Sequence, residues 1–284
     1  MEYVELGTTG ITVSRLGFGG APAGLTNYLE NYNPTDVEQR QQVIAAIQHA
    51  VELGITYFDT APGYGNGQSE SIFGEALSGL GERVFIATKI NRDETDVRRS
   101  IETSLQRLRR DQLDLVQIHG NSYSNALADS ILAADGLLEQ LERLRYEGLI
   151  RFLGFTSEDN NAAVYRFIES GRFDVVQLAY NFLFQHPTET TRPFGSLLEA
   201  KARGLGTCTM RALTSGLFQK WVQRVNPHNT FDYTPALLQF VLSNPHVDVV
   251  LVGMRTPAMV AQNVQICEDT AGRIDLDWFQ EKYV

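Results

Sequence analysis

The sequence predicts a (β/α)8 TIM barrel of the α/β class, with residues 1–284 forming one domain. Short apolar runs rich in β-branched residues alternate eight times with amphipathic segments of helical period. No linker rich in Pro, Gly or Ser divides the chain into halves. A length of 284 residues with 43% hydrophobic residues lies within the range of single-domain barrels.

The elements can be assigned in chain order. Residues 4–13 are predicted to form an N-terminal β-hairpin that closes the barrel floor. The eight barrel strands are predicted at residues 14–18, 56–58, 84–88, 113–118, 152–155, 175–178, 206–209 and 249–252. The helices are predicted at residues 36–53, 69–77, 96–109, 129–147, 160–170, 191–203, 234–243 and 257–269. Cap residues such as Asp96 and terminal glycines such as Gly148 mark several of their ends.

Two connections are longer than a barrel requires, residues 19–35 and residues 213–233. Both follow the carboxyl ends of strands, where barrel enzymes place their active sites, so each is a candidate cover for a site. The tail from residue 274 onwards is short, which predicts a fairly open pocket.

Charge and composition limit the partners that this chain can have. The net charge is -10, from 24 Lys and Arg against 34 Asp and Glu, which disfavours nucleic acid and anionic membranes as primary partners. Neither a targeting segment nor an apolar stretch of ~20 residues is present, so we expect a soluble cytoplasmic protein. Cys208 and Cys267 lack metal-type spacing, and no metal site is predicted.

Four ionisable side chains follow three consecutive predicted strands. Asp59 ends the second strand, with Tyr64 in the loop beyond it, and Lys89 and His119 end the third and fourth strands. Each alone has an ordinary structural explanation, but together at one rim they indicate a catalytic site. Lys89 held against Asp59 is expected to lower the pKa of Tyr64 from its usual ~10 and so ease proton transfer.

These residues belong to a longer pattern, FDTAxxYGxxxSExxxGxAL at residues 58–77, followed by TK at 88–89 and DLVQIH at 114–119. With this pattern the chain resembles the aldo-keto reductases from residue 17 to residue 263. The resemblance implies hydride transfer between the nicotinamide of NADPH or NADH and a small-molecule carbonyl. It implies Tyr64 as general acid, His119 orienting the carbonyl, Asp59 and Lys89 tuning Tyr64, and a monomer.

The resemblance also assigns cofactor and substrate contacts, with NADP(H) as the cofactor and NAD(H) possible. Arg255 has the position of a 2'-phosphate ligand, but Met259 stands where members often have another basic or polar residue. Thr156 and Ser157 replace a Ser-Asn pair for the nicotinamide amide, and Met210 replaces an aromatic ring. The implied cofactor residues are Gly19, Gly20, Asp59, Thr156, Ser157, Gln177, Met210, Arg211, Leu213, Ser215, Gly216, Gly253, Arg255, Gln262 and Asn263. The implied substrate neighbours are Tyr28, Tyr64, His119, Asn121 and Ser122.

The same residues allow three other interpretations. A Rossmann dinucleotide fingerprint at residues 17–22 is disfavoured because Pro22 stands where the third glycine should be. Lys89 at a strand end could instead form a Schiff base, as in a barrel lyase that needs no cofactor. A regulatory protein that binds the cofactor without turnover is the remaining alternative, resembling potassium-channel β subunits.

Overall fold

A computed structural model describes residues 1–185, 195–276 and 278 of the chain. The strands outside the barrel are β1 (Tyr3–Glu5) and β2 (Thr12–Ser14). The barrel strands are β3 (Leu16–Gly19), β4 (Tyr57–Asp59), β5 (Phe85–Asn91), β6 (Leu113–His119), β7 (Ile150–Ser157), β8 (Val175–Ala179), β9 (Gly206–Met210) and β10 (Val249–Gly253). Each barrel strand pairs in parallel with the next, and β10 also pairs with β3, which closes the ring. The predicted fold class is therefore confirmed.

The predicted N-terminal hairpin is also confirmed. Strands β1 and β2 pair antiparallel, and the fully buried Leu6 and Val13 join the apolar cluster inside the barrel. One boundary differs from the prediction, because Ser14 ends β2 and does not begin the first barrel strand. Its hydroxyl accepts a hydrogen bond from Thr56 N and donates one to the carbonyl of Leu16, which joins the hairpin to the barrel.

Helices surround the barrel on its outer side. They are α1 (Ala21–Gly24), α2 (Val37–Glu52), α3 (Gln68–Ala76), α4 (Val97–Leu108), α5 (Asn125–Leu132), α6 (Leu137–Tyr146), α7 (Ala162–Glu169), α8 (Ser196–Ala202), α9 (Leu217–Val225), α10 (Thr234–Leu242) and α11 (Pro257–Glu268). Several begin where the capping residues predicted, and the side chain of Asp96 accepts a hydrogen bond from Arg99 N at the start of α4. For the predicted helix 191–203, residues 191–194 lie outside the described residues.

The prediction of one helix at residues 129–147 is wrong, because two helices, α5 and α6, occupy this region. Asp135 has a φ of 58°, in the left-handed region, which ends helical geometry between them. Gly136 follows as an extended N-cap of α6, and a Cβ there would lie 2.5 Å from the carbonyl oxygen of Ser130. The chain therefore turns at this point and restarts as a new helix.

The two long connections, at residues 19–35 and 213–233, contain helices that are not among those predicted. The first contains the short α1, and the second contains α9, which follows a 3-10 turn at Thr214–Gly216. Helix α9 has no buried residue, and Leu217 and Trp221 on it are 54% and 59% exposed. Helix α9 is nevertheless amphipathic, with apolar residues at positions 217, 218, 221, 222 and 225, so the helical period in the sequence is the signal that could have found it.

Candidate active site

The rim formed by the carboxyl ends of the barrel strands brings three predicted catalytic side chains together. Asp59 ends β4, Lys89 lies near the end of β5, and His119 ends β6. Lys89 Nζ donates to both carboxylate oxygens of Asp59, at 2.6 and 2.8 Å, and to the carbonyl of Thr60 at 2.8 Å. The Tyr64 side chain is a further hydrogen-bonding neighbour of this ammonium group.

Burial and pairing act in opposite directions on this ion pair. Burial raises the pKa of Asp59, while the neighbouring ammonium of Lys89 lowers it. Burial lowers the pKa of Lys89, but the attraction of Asp59 and Tyr64 outweighs burial and leaves that pKa above its usual value. Lys89 is therefore charged at neutral pH, and Asp59 is the carboxylate that compensates this charge.

Tyr64 lies in the tight loop that joins β4 to α3. Tyr64 N donates to the carbonyl of Ala61, and Gly65 follows with a φ of 69°. A Cβ on Gly65 would lie 1.9 Å from the carbonyl oxygen of Gly24, so only glycine fits here. The loop holds the Tyr64 ring with its centroid 4.9 Å from Lys89 Nζ.

The pKa of Tyr64 differs from the sequence-based expectation. Lys89 lowers this pKa, as expected, but burial of the phenol raises it by more, so the pKa lies above its usual value. The expected net lowering is therefore wrong, because desolvation of the phenolate exceeds the attraction of one ammonium group. At neutral pH the phenol keeps its proton and can act as a donor.

His119 faces the same space as Tyr64. The two rings meet edge to face, with centroids 5.7 Å apart and planes at 85°. Burial, together with the positive charge of Lys89, lowers the pKa of His119 to about 4. The imidazole is therefore neutral at physiological pH and has one N–H group to donate.

Gln117, a residue of the site that the sequence did not predict, lies on the inward side of β6 two residues before His119. Gln117 Nε2 donates to Asp59 Oδ2 at 3.2 Å and to Gln177 Oε1 at 3.0 Å. Gln177 Nε2 in turn lies 3.6 Å from the sulfur of Met210. The period of two in a strand, applied backwards from His119, is the signal that could have found Gln117.

A pocket with a cavity volume of about 360 Å³ opens above these residues. The predicted residues that line it are Gly19, Gly20, Tyr28, Asp59, Tyr64, His119, Asn121, Thr156, Gln177, Met210, Arg211, Leu213, Ser215, Gly216 and Gly253. Arg211 forms an ion pair with Glu158 at 2.6 Å, and both residues line the pocket. Most of the predicted site therefore converges on one cavity at the rim.

Other predicted residues are placed differently. Ser122 is exposed and does not line the pocket. The hydroxyl of Ser157 hydrogen-bonds to the backbone of Asp159, and that of Thr156 bonds to the backbone of Gly120. Thr156 and Ser157, which were expected to bind the nicotinamide amide, thus already hydrogen-bond to backbone groups. Both side chains stabilise the loops beyond β6 and β7.

The remaining predicted cofactor residues, Arg255, Gln262 and Asn263, lie just before α11 or on it, outside the pocket lining. Gln262 is exposed and donates to Asp232. Arg255 and Asn263 are buried, and Arg255 Nη1 and Asn263 Oδ1 have no hydrogen-bond partner among the described residues. Such buried polar atoms retain the capacity to bind a ligand.

Comparison with known proteins connects this geometry to a family. The model of the aldo/keto reductase family matches residues 15–275. The chain belongs to this family. As a member it is an oxidoreductase, and the resemblance seen in the sequence is confirmed.

Within the described residues, no cluster of His, Cys, Asp or Glu could hold a metal ion, and no helix has the length and apolar character of a membrane span.

Individual relatives of this aldo/keto reductase differ in their substrates. L-galactose dehydrogenase of Arabidopsis thaliana is 28% identical over 93% of this chain and 87% of its own length. NADH-specific methylglyoxal reductase of Escherichia coli is 28% identical over 93% of each chain. An aldo/keto reductase from Klebsiella pneumoniae, solved with NADP and acetate, shares the fold with a TM-score of 0.71 at 22% identity, over 98% of this chain and 94% of that one.

Proposed function

We propose that this protein reduces a small-molecule aldehyde or ketone to the alcohol, with Tyr64 as the proton donor. The observation that carries the proposal is the edge-to-face contact of Tyr64 and His119 above the buried pair of Lys89 and Asp59. Two hydrogen-bond donors thus line the same cavity. A carbonyl oxygen placed between them would accept from both.

The residues divide the proton chemistry between them. A nicotinamide dinucleotide bound along the rim would supply the hydride to the carbonyl carbon. Tyr64 gives its phenolic proton to the carbonyl oxygen, and the phenolate that remains lies beside the ammonium of Lys89. Asp59 holds Lys89 charged and in place, and neutral His119 orients the carbonyl without exchanging its own proton.

The residues present fit such a cofactor. The pocket extends from Asp59 and Tyr64 to Ser215 and Gly253, so it crosses the rim of the barrel. Beyond it, at the start of α11, Arg255 keeps a buried nitrogen without a partner among the described residues. A helix N-terminus with an arginine suits a phosphate group. We therefore propose NADP(H) as the cofactor, with NAD(H) also accepted, since the relatives include one solved with NADP and one named for NADH.

The lyase alternative conflicts with the state of Lys89. A Schiff base requires a neutral amine that can reach the substrate. Lys89 is 1% exposed, donates to three acceptors and has a pKa above its usual value. Carbonyl reduction requires Lys89 only as a fixed positive charge beside Tyr64, and the buried, charged state of Lys89 agrees with this role.

The proposal is tested by following nicotinamide absorbance with a panel of aldehydes and ketones, using NADPH and NADH in turn. We expect turnover by the wild type, and we expect Tyr64→Phe to lower kcat by a factor of ~10²–10⁴ while the cofactor still binds. Tyr28→Phe is the matched control, because it removes a hydroxyl from the same pocket and should cost about tenfold at most. Absence of turnover with cofactor binding intact would instead favour the regulatory alternative.

A further inference from the structure

Arg255 already has an anionic neighbour inside this chain. Its Nη2 atom lies 2.9 Å from Glu30 Oε2, and its guanidinium lies 4.8 Å from the ring centroid of Tyr32. The Arg255 side chain is only 9% exposed, whereas that of Glu30 is 64% exposed. The arginine is therefore enclosed by the loop after β3, with Glu30 at the side that remains open to solvent.

The loop holds Glu30 in a defined position. The backbone of Asn27 and that of Tyr32 are joined by a hydrogen bond of 2.9 Å, and Tyr32 N donates to the side chain of Asn27 at 3.0 Å. The Tyr32 hydroxyl donates to the carbonyl of Ala23 at 2.8 Å. Because Tyr32 is buried and held at both ends, the turn that contains Glu30 is fixed beside Arg255.

The charge of Glu30 affects the two forms of the cofactor differently. A 2'-phosphate carries about -1.5 to -2 charges at neutral pH, so a carboxylate beside its arginine repels it and competes for the guanidinium. A ribose 2'-hydroxyl is neutral and can donate to a carboxylate. We propose that Glu30 is a specificity-determining residue that opposes the 2'-phosphate at Arg255 and so reduces the preference for NADPH over NADH. This inference rests on the proposed use of a nicotinamide dinucleotide.

The test compares Glu30→Gln with a matched control, Glu147→Gln. Glu147 follows α6 and pairs with Arg98 of α4 at 2.5 Å, far from the loop after β3, so both variants remove one carboxylate from an Arg–Glu pair and change the net charge equally. Calorimetric titration of NADPH and NADH gives the Kd of each. We expect Glu30→Gln to tighten NADPH by about 3- to 10-fold and to leave NADH within about twofold, as for loss of one exposed charge. Glu147→Gln should change neither Kd.

A further variant shows whether the effect passes through Arg255. In an Arg255→Ala background, Glu30→Gln should tighten NADPH by less than it does in the wild type, because the competition for the guanidinium is gone. An unchanged NADPH affinity in Glu30→Gln, or an equal change for NADH, overturns the inference and leaves the proposed function standing. If neither cofactor binds the wild type, the proposed function fails and the inference fails with it.

Discussion

At the scale of single residues, the site depends on one buried charge pair. Lys89 and Asp59 are 1% and 3% exposed, and each compensates the charge of the other. Removing one partner from such a pair leaves an uncompensated buried charge. This lowers the free energy of unfolding far more than the loss of an exposed ion pair does. The pair is therefore both a condition for stability and the source of the positive charge beside Tyr64.

Lys89→Met should slow catalysis and shift its pH dependence. Without the ammonium group, nothing offsets the effect of burial on Tyr64, so the pKa of the phenol rises further. In the direction of alcohol oxidation, where Tyr64 acts as a base, the pH–rate profile should move to higher pH. Lys201→Met is the control, since Lys201 pairs with Asp248, which binds the backbone of Gly7 and Thr207. An unshifted profile in Lys89→Met would make Lys89 purely structural.

His119 provides a pH-dependent contribution to stability. Its pKa of about 4 in the folded protein is lower than the ~6.5 of an unfolded chain. The unfolded state therefore binds more protons between these values, so this contribution is complete above pH ~6.5 and is lost as pH falls towards 4. We expect an NMR titration of the imidazole to give a midpoint near 4. We also expect the free energy of unfolding of His119→Asn to decrease less than that of the wild type as the pH falls from ~6.5 to 4. A midpoint near the unfolded value would contradict the burial of His119.

At the scale of elements, the segment between β10 and α11 provides the candidate cofactor selectivity. Thr256 caps α11 by accepting a hydrogen bond from Met259 N, and Arg255 precedes this cap. The backbone N–H groups of the first turn and the guanidinium can therefore act on the same anion. The loop after β3 supplies the opposing charge of Glu30.

Arg255→Ala should weaken NADPH binding by about 10- to 150-fold and leave NADH unaffected. A charge-assisted contact to a phosphate is worth roughly 1.5–3 kcal/mol, at ~1.4 kcal/mol per tenfold. Titration of both cofactors into the wild type and the variant measures the difference. Equal losses for NADPH and NADH would show that Arg255 does not bind the 2'-phosphate.

At the scale of the whole molecule, the barrel separates stability at its floor from chemistry at its rim. The hairpin places Leu6 in the apolar cluster inside the barrel, together with Tyr57, Phe85 and Val249. The proposed catalytic side chains lie at the opposite ends of the barrel strands. Changes at the floor should therefore alter the free energy of unfolding without altering the active site.

Leu6→Ala should lower the free energy of unfolding by about 2–5 kcal/mol, the usual range for truncating a fully buried leucine. Urea denaturation measures this loss, and carbonyl turnover of the folded variant should stay within about twofold of the wild type. Glu5→Ala, on the exposed side of the same hairpin, is the control and should change stability by about 0.5 kcal/mol or less. A large loss of turnover by folded Leu6→Ala would show that packing at the barrel floor affects the active site at the rim.

Local patterns in the sequence predict the barrel and the residues at its rim. Strand β10 opens with four consecutive apolar residues, 249–252, because both faces of a parallel barrel strand are buried, so local composition predicts it. Asp59, Lys89 and His119 follow such strands directly, and the carboxyl ends of parallel strands meet at one edge.

The predictions that failed are the start of the first barrel strand at Ser14, the helix break at Gly136 and the helix within residues 213–233. Ser14 is held by Thr56, which is remote in sequence, and the break before Gly136 depends on one left-handed residue, Asp135. Helix α9 does carry an amphipathic pattern in the sequence.

Which groups act on one another across the rim depends on the tertiary structure. Gln117 reaches Asp59 and Gln177 because three strands converge, and Glu30 meets Arg255 although the two lie near opposite ends of the chain. The pKa of Tyr64 is raised because desolvation sums over every element packed around the phenol, and Lys89 is only one of them. Pairing and burial depend on distances between segments that are remote in sequence, which no local pattern encodes.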